Sequence, residues 1–177
     1  MPPSPAPPRV LLLRFSAIGD ILLATPLVRA IRRRHPAAHL AAFTRGAFVP
    51  LLSDNPHLDA VHGLGPGEPI RSLAARIRAG GYTHLLDLHG SLRTRALRGL
   101  VRGRWGTFNH HRWARWALVR LRSDRYPAGA LPVPERYFEA ARELDVRPDG
   151  GPPEFGLHAD AVAWARAWLG ARGLGRD

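Results

Sequence analysis

The chain has 177 residues, 26 basic and 14 acidic side chains, a formal net charge of +12 and no Cys. Every basic residue is Arg and Lys is absent, which excludes a Walker A phosphate loop, a Schiff-base lysine and pyridoxal chemistry. The lack of Cys excludes a disulfide framework, a thiol nucleophile, Cys-ligated zinc and Cys-held iron–sulfur clusters.

A hydrophobic content of 45% belongs to a foldable globular chain. One reading of Arg in place of Lys is GC-rich codon usage. It does not account for the excess of positive over negative charge, because Asp and Glu also have GC-rich codons. An anionic partner is therefore expected: nucleic acid, a phosphorylated substrate or a membrane surface. No stretch approaches the roughly 18 apolar residues of a membrane span. Residues 1–8 (MPPSPAPP) lack the basic start and apolar centre of a secretory signal and read as a stiff, Pro-rich tail.

Residues 9–15 (RVLLLRF) have the length and near-continuous apolarity of a strand buried on both faces. Residues 16–20 form a turn, and a helical pattern follows over 21–34. Pro26 interrupts it: either the helix bends there, or Thr25 caps its main part with Pro26 in the first helical position. Residues 39–44 read as a strand, 46–52 as a short helix, 59–64 as a strand, 69–79 as a helix stopped by Gly80-Gly81, 83–88 as a strand and 91–101 as a helix. Residues 105–109 suggest another strand, and 112–121 and 134–144 two helices. Residues 145–158 are rich in Pro and Gly and read as a linker. Residues 159–172 form a last helix with Val162, Ala165, Trp168 and Leu169 on one stripe. Such alternation predicts right-handed βαβ units and an open, Rossmann-like parallel sheet with flanking helices. Ligands of these sheets bind beyond the carboxyl ends of the strands, so the loops of interest are 16–20, 45–46, 63–67 and 89–91.

In the first loop, Ser16, Gly19 and Asp20 sit where strand meets helix. Gly19 permits a tight turn. Asp20 has two readings: a first-turn acid favoured by the helix dipole, or a general base that the helix end keeps ionised and ready to accept a proton.

The segment RVLLLRFSAIGDILLATPLVRAIRRRHP (residues 9–36), with its S-x-I-G-D-x-L-x-x-T-P run before a basic helix, resembles the opening of the family 9 glycosyltransferases, the bacterial ADP-heptose:lipopolysaccharide heptosyltransferases. Residues 87–94 (DLHGSLRT) resemble that family's D-L-Q-G-S loop, with His89 in place of Gln. Residues 134–140 (PERYFEA) resemble its V-x-R-Y segment. The resemblance covers residues 9–170. It implies half of a GT-B architecture: a Rossmann-like acceptor-binding domain at 9–145, and a linker and terminal helix at 146–177 leading toward a C-terminal domain that would bind the ADP-sugar. It also implies that Asp20 is the base that deprotonates an acceptor hydroxyl, with inversion at the anomeric carbon and no cofactor or metal. The implied partners are a lipid A–Kdo type glycolipid, the nucleotide-sugar donor and the cytoplasmic face of the inner membrane, with no nucleic acid.

Other features are weighed beside this. The Gly63–Gly67 run departs from G-x-G-x-x-G, and Pro66 removes a backbone donor, so a plain loop is favoured over a phosphate site. Asp87 and His89 end a strand at the crevice and read either as turn residues or as contacts to the acceptor or the first loop. His110-His111 lacks the spacing and carboxylates of a metal site. Residues 91–125 hold ten Arg and, as the one acid, Asp124, with Trp105, Trp113 and Trp116 among them. A solvated basic face, a nucleic-acid surface and a membrane-proximal acceptor surface all fit this composition, and the resemblance favours the last. Arg93 and Arg95 lie closest to the crevice and are candidates for bidentate contacts to acceptor phosphates or carboxylates. The reading of a different class is a non-catalytic Rossmann-like module that holds anionic lipid or nucleic acid.

Overall fold

A computed structural model describes residues 6–174; within that range the side chains of Arg112 and Arg115 lie outside the described residues, as do residues 1–5 of the Pro-rich tail. Five strands form one sheet: β1 (Arg9–Leu13), β2 (His39–Arg45), β3 (Ala60–Leu64), β4 (His84–Asp87) and β5 (Arg104–Thr107). Their order is β3-β2-β1-β4-β5 and every pairing is parallel, with Leu11 of β1 level with Ala41 of β2 and Leu85 of β4. The helices are α1 (Ile18–Leu22), α2 (Thr25–Arg34), α3 (Ile70–Ala79), α4 (Leu92–Leu100), α5 (Arg112–Leu121), α6 (Val133–Arg136) and α7 (Ala159–Gly170).

The apolar run of β1 splits by the two-residue period of a strand. Val10 and Leu12 join Leu27 and Ile31 of α2 and the aromatic pair Tyr137 and Phe138 on one face. Leu11 and Leu13 join Leu73 and Ile77 of α3 and Leu97 of α4 on the other. Each fully buried Leu contributes about 1.5–3 kcal/mol of transfer free energy. Both faces are thus covered, as the unbroken apolarity implied.

Beside Pro26 a separate helix starts, one residue earlier than the Thr25-capped form expected. Ala24 caps α2, Thr25 is its first residue and Pro26 follows, where no donor is missed. The Thr25 hydroxyl donates to Leu22 O at 2.7 Å and so holds α1 to α2.

Two expectations are sharpened and one, the helix over 134–144, is corrected. Residues Gly46–Leu51 form a 3-10 helix with Pro50 inside, which cannot donate to a longer α-helix. The single helix expected over 134–144 is α6 followed by a 3-10 segment at Tyr137–Leu144 with non-helical backbone at Ala141. That segment lies hard on β5: a Cβ on Gly106 would overlap the Ala140 carbonyl. Finally, the stripe of α7 buries nothing fully; Trp168 and Leu169 are exposed.

The linker does not hang free. Arg29 of α2, 4% exposed, donates through Nε and Nη2 to both oxygens of Asp149 at 2.7 Å and through Nη1 to Pro152 O at 3.0 Å, and it pairs with Glu154 at 2.7 Å. Arg33 also pairs with Asp149, and Glu154 N–H donates to the Thr25 hydroxyl at 2.7 Å. The Arg29 hydrogen bond is the main cause that holds the Asp149 carboxyl well below the usual carboxylate range.

Candidate active site

In this strand order the chain reverses direction across the sheet between β1 and β4, and a crevice opens beyond their carboxyl ends. The loops after these two strands supply the site.

Asp20 lies in the first turn of α1, but no side chain caps that helix. Its carboxylate turns instead to Arg14, whose Nη2 donates to Oδ2. Arg14 Nη1 donates to Leu88 O, the carbonyl at the end of β4. Its guanidinium also lies 6.0 Å from the Tyr137 ring centre. Arg14 is therefore a bracket: it leaves β1, fastens the β4 end and fixes one oxygen of Asp20. The other oxygen, Oδ1, has no hydrogen bond among the described residues, and the Asp20 side chain is 38% exposed. The Tyr137 hydroxyl reaches the Asp20 carbonyl at a long 3.4 Å. Burial pushes the Tyr137 phenol up to about 12, so it stays protonated and a donor at neutral pH.

Ser16 is half-buried in the turn before α1, and a cis peptide joins it to Ala17. Gly19 is not the tight-turn residue expected. It lies inside α1 without a positive φ, and open space surrounds its Cα where a side chain would stand.

Asp87 is fully buried. Its Oδ1 accepts from the backbone N–H of His89 at 3.1 Å and of Gly90 at 2.7 Å, and its Oδ2 pairs with Arg98 at 3.2 Å. The carboxylate thus folds the 88–91 loop. Gly90 has φ +63°, and a Cβ there would run into the His110 ring. His89 packs its ring 5.1 Å from that of Phe15, which ties the loop to the β1 end. Burial, aided by the charge of Arg14, lowers the His89 pKa, and the neutral ring has a buried Nδ1 without a hydrogen bond.

Arg93 and Arg95 are both on α4 but serve different cavities. Arg93 donates to Glu68 O and lines a space of about 380 Å³ with Arg45, Gly46 and the Gly65–Gly67 loop. Arg95 lines a space of about 320 Å³ with Asp87, Arg98, Thr107 and His110. The first lies beyond β2 and β3 and the second beyond β4 and β5, so they flank the Asp20 turn after β1. Among the described residues no three His, Asp or Glu side chains gather to hold a metal ion.

The chain can now be set beside known proteins. Lipopolysaccharide heptosyltransferase 3 of Escherichia coli (strain K12) is 30% identical over 78 residues, which is 40% of this chain and 23% of that protein. The glycosyl transferase family 9 structure from Veillonella parvula DSM 2008 superposes with a TM-score of 0.71 at 18% identity, over 95% of this chain and 50% of that one. The fold is that of the family 9 glycosyltransferases. The E. coli heptosyltransferase WaaC with ADP shares this family 9 fold with a TM-score of 0.60 and 21% identity, over 82% of this chain and 50% of its own. E. coli ADP-heptose lps heptosyltransferase II gives 0.59 and 18%, over 94% and 51%. No protein-family model matches the sequence. The chain spans about half the length of these solved structures and 23% of the curated relative.

Arg14, Arg98 and Tyr137 were not singled out from the sequence. Arg14 carried a signal: it is a charge near the end of an apolar strand next to the crevice, and such a charge must find a partner. Tyr137 belongs to the quoted PERYFEA segment, where nothing in the spacing shows that it returns to β1.

Proposed function

We propose that this chain is the acceptor-binding, catalytic-base half of an inverting, metal-independent glycosyltransferase that moves heptose from ADP-heptose to a lipid A–Kdo type acceptor at the cytoplasmic face of the inner membrane. The observation that carries this reading is the Asp20 carboxylate at the end of the central strand, held at one oxygen by Arg14 and open at the other.

The acceptor hydroxyl approaches Oδ1 of Asp20. As its proton passes to that oxygen, the hydroxyl oxygen bonds to the anomeric carbon. The bond from that carbon to the phosphate oxygen breaks, its electron pair leaves with ADP, and the configuration inverts. Arg14 keeps the carboxylate aimed and stays bound to Leu88 O throughout. Arg93 and Arg95, on either side, meet the acceptor's phosphates and carboxylates in bidentate fashion. Ser16, Gly19 and His89 shape the floor, and Asp87 holds the His89 loop. The donor nucleotide belongs to a second domain, supplied in the same chain or separately.

Calorimetry tests the division of labour. Residues 1–177 are expected to take up a Kdo-bearing lipid A acceptor and to give no heat with ADP-heptose at micromolar concentration. Low-micromolar binding of ADP-heptose to this chain would defeat the half-enzyme reading.

A further inference from the structure

Helix α5 is built inside out. Its small residues, Ala114 and Ala117, face the protein and are buried. Its large ones face outward: Trp113 is 71% exposed, Trp116 45% and Val119 72%, with Leu118 and Leu121 also exposed. The hydrophobic effect places bulky apolar groups inward on an ordinary surface helix, so this face is expected to be covered by something apolar. The two indoles stack, with ring centres 4.8 Å apart and planes 19° apart, and form one continuous apolar plate.

The surroundings are cationic. In sequence, α5 and its end carry Arg112, Arg115, Arg120 and Arg122. Among the described residues, Arg102, Arg120 and Arg122 meet no acidic group. The one acid nearby, Asp124, turns its Oδ1 to the Tyr126 N–H. Exposed aromatics on a helix that ends in Arg120 and Arg122, neither with an acidic partner among the described residues, are the chemistry of a helix lying in the headgroup layer of an anionic bilayer. No described helix is long and apolar enough to cross a membrane, and ten residues span only about 15 Å, so the contact is in-plane.

We infer that α5 is a membrane-docking element that seats Trp113 and Trp116 among the headgroups of an anionic phospholipid bilayer while its arginines meet the lipid phosphates. A single-stranded nucleic acid is the lesser fit. Bases stack on separated aromatic faces along a groove, whereas these indoles use facing sides on each other, and the exposed Val119, Leu118 and Leu121 have no role on a polynucleotide. The inference deepens the membrane-facing part of the proposed function but stands on α5 alone and needs no sugar transfer.

The test is flotation of the full chain with vesicles of phosphatidylcholine, with and without phosphatidylglycerol, across a salt series. Binding is expected only to the anionic vesicles and is expected to weaken with salt. W113S/W116S is expected to abolish it without lowering Tm, since both rings point outward. R120S and R122S are each expected to weaken it about fivefold, the effect of one basic residue at an anionic surface. W164S/W168S on α7 leaves it intact. Unchanged binding by W113S/W116S, equal binding to neutral vesicles, or tighter binding to a single-stranded RNA than to vesicles would each overturn the inference. D20N is expected to float as well as the parent chain, so vesicle binding without sugar transfer would leave the docking role standing and count only against the proposed function.

Discussion

Two arginine-rich regions of this chain look alike on paper and behave in opposite ways. In α2, Arg29, Arg32, Arg33 and Arg34 each meet an acid: Asp149 and Glu154, Asp59, Asp149 again, and Asp145. From α4 through the end of α5, Arg98 and Arg104 have acidic partners, but Arg95, Arg102, Arg120 and Arg122 have none among the described residues. The first set is spent on the fold: Arg29, Arg33 and Arg34 fasten the 145–154 segment to α2, and Arg32 fastens the approach to β3. The second set is left available. The +12 balance is therefore not a uniform property of the surface. Part of its unpaired charge lies near the cavity lined by Arg95 and on the outward helix α5.

Stability separates the two regions most sharply. Arg29→Met leaves Asp149 and Glu154 with no central cation. Loss of one partner of a buried pair costs about 3–5 kcal/mol, and the partial exposure of both acids puts the expected loss near the lower end, about 3 kcal/mol. Chemical denaturation measures it. Arg120→Ser, by contrast, is expected to stay within about 0.5 kcal/mol of the parent. Similar losses for both would erase the distinction.

Activity comes next. In a two-domain form that transfers sugar, Arg14→Met frees the Asp20 carboxylate to wander and is expected to cost about a hundredfold in kcat, the scale of a small misplacement of a reacting group. KM is expected to change little, and Arg14→Lys to restore part of the rate. A KM effect with unchanged kcat would make Arg14 a binding residue instead.

The smallest effect is in pH. Asp149 has its folded pKa depressed, chiefly by Arg29. Its contribution to stability is complete above the ordinary carboxylate range and is lost as pH falls through that range, near ~4, and on below it. Burial depresses the folded pKa of His62, His84 and His89 as well. These rings favour the folded state above ~6.5, and that contribution declines as pH falls below it. The acid limb of the stability curve is thus expected to begin with the histidines and deepen with the linker clamp. Asp149→Asn is expected to flatten only the deeper part; an unaltered curve would show that the clamp does not titrate with folding.

The sheet was legible because β1, β2 and β4 are short, largely apolar runs closed by Gly, Pro or polar turn residues, and the crevice followed from the parallel sheet. Strand order was not legible, since a buried parallel strand such as LLL in β1 carries no mark of its neighbour. The position of Asp20 was readable from the β1–α1 junction. Its partner was not, because Arg14 returns to Asp20 through a turn geometry that spacing alone does not define. Gly19 was read as a turn former because glycine permits turns, yet the helix begins at Ile18 and includes it. The helices α5 and α7 were legible, but periodicity reports only that apolar residues share a face. It does not report whether the fold has a surface to set against that face, and for Trp113, Trp116 and Trp168 it does not.

The proposed transfer depends above all on the role of Asp20 as the base. That role is tested most directly by single-turnover transfer from ADP-heptose in a two-domain form carrying Asp20→Asn, a substitution that keeps the size of the side chain and removes its basicity. A loss of about a hundredfold to ten-thousandfold in the chemical step is expected, with folding and acceptor binding intact. Transfer at the parent rate would contradict that role.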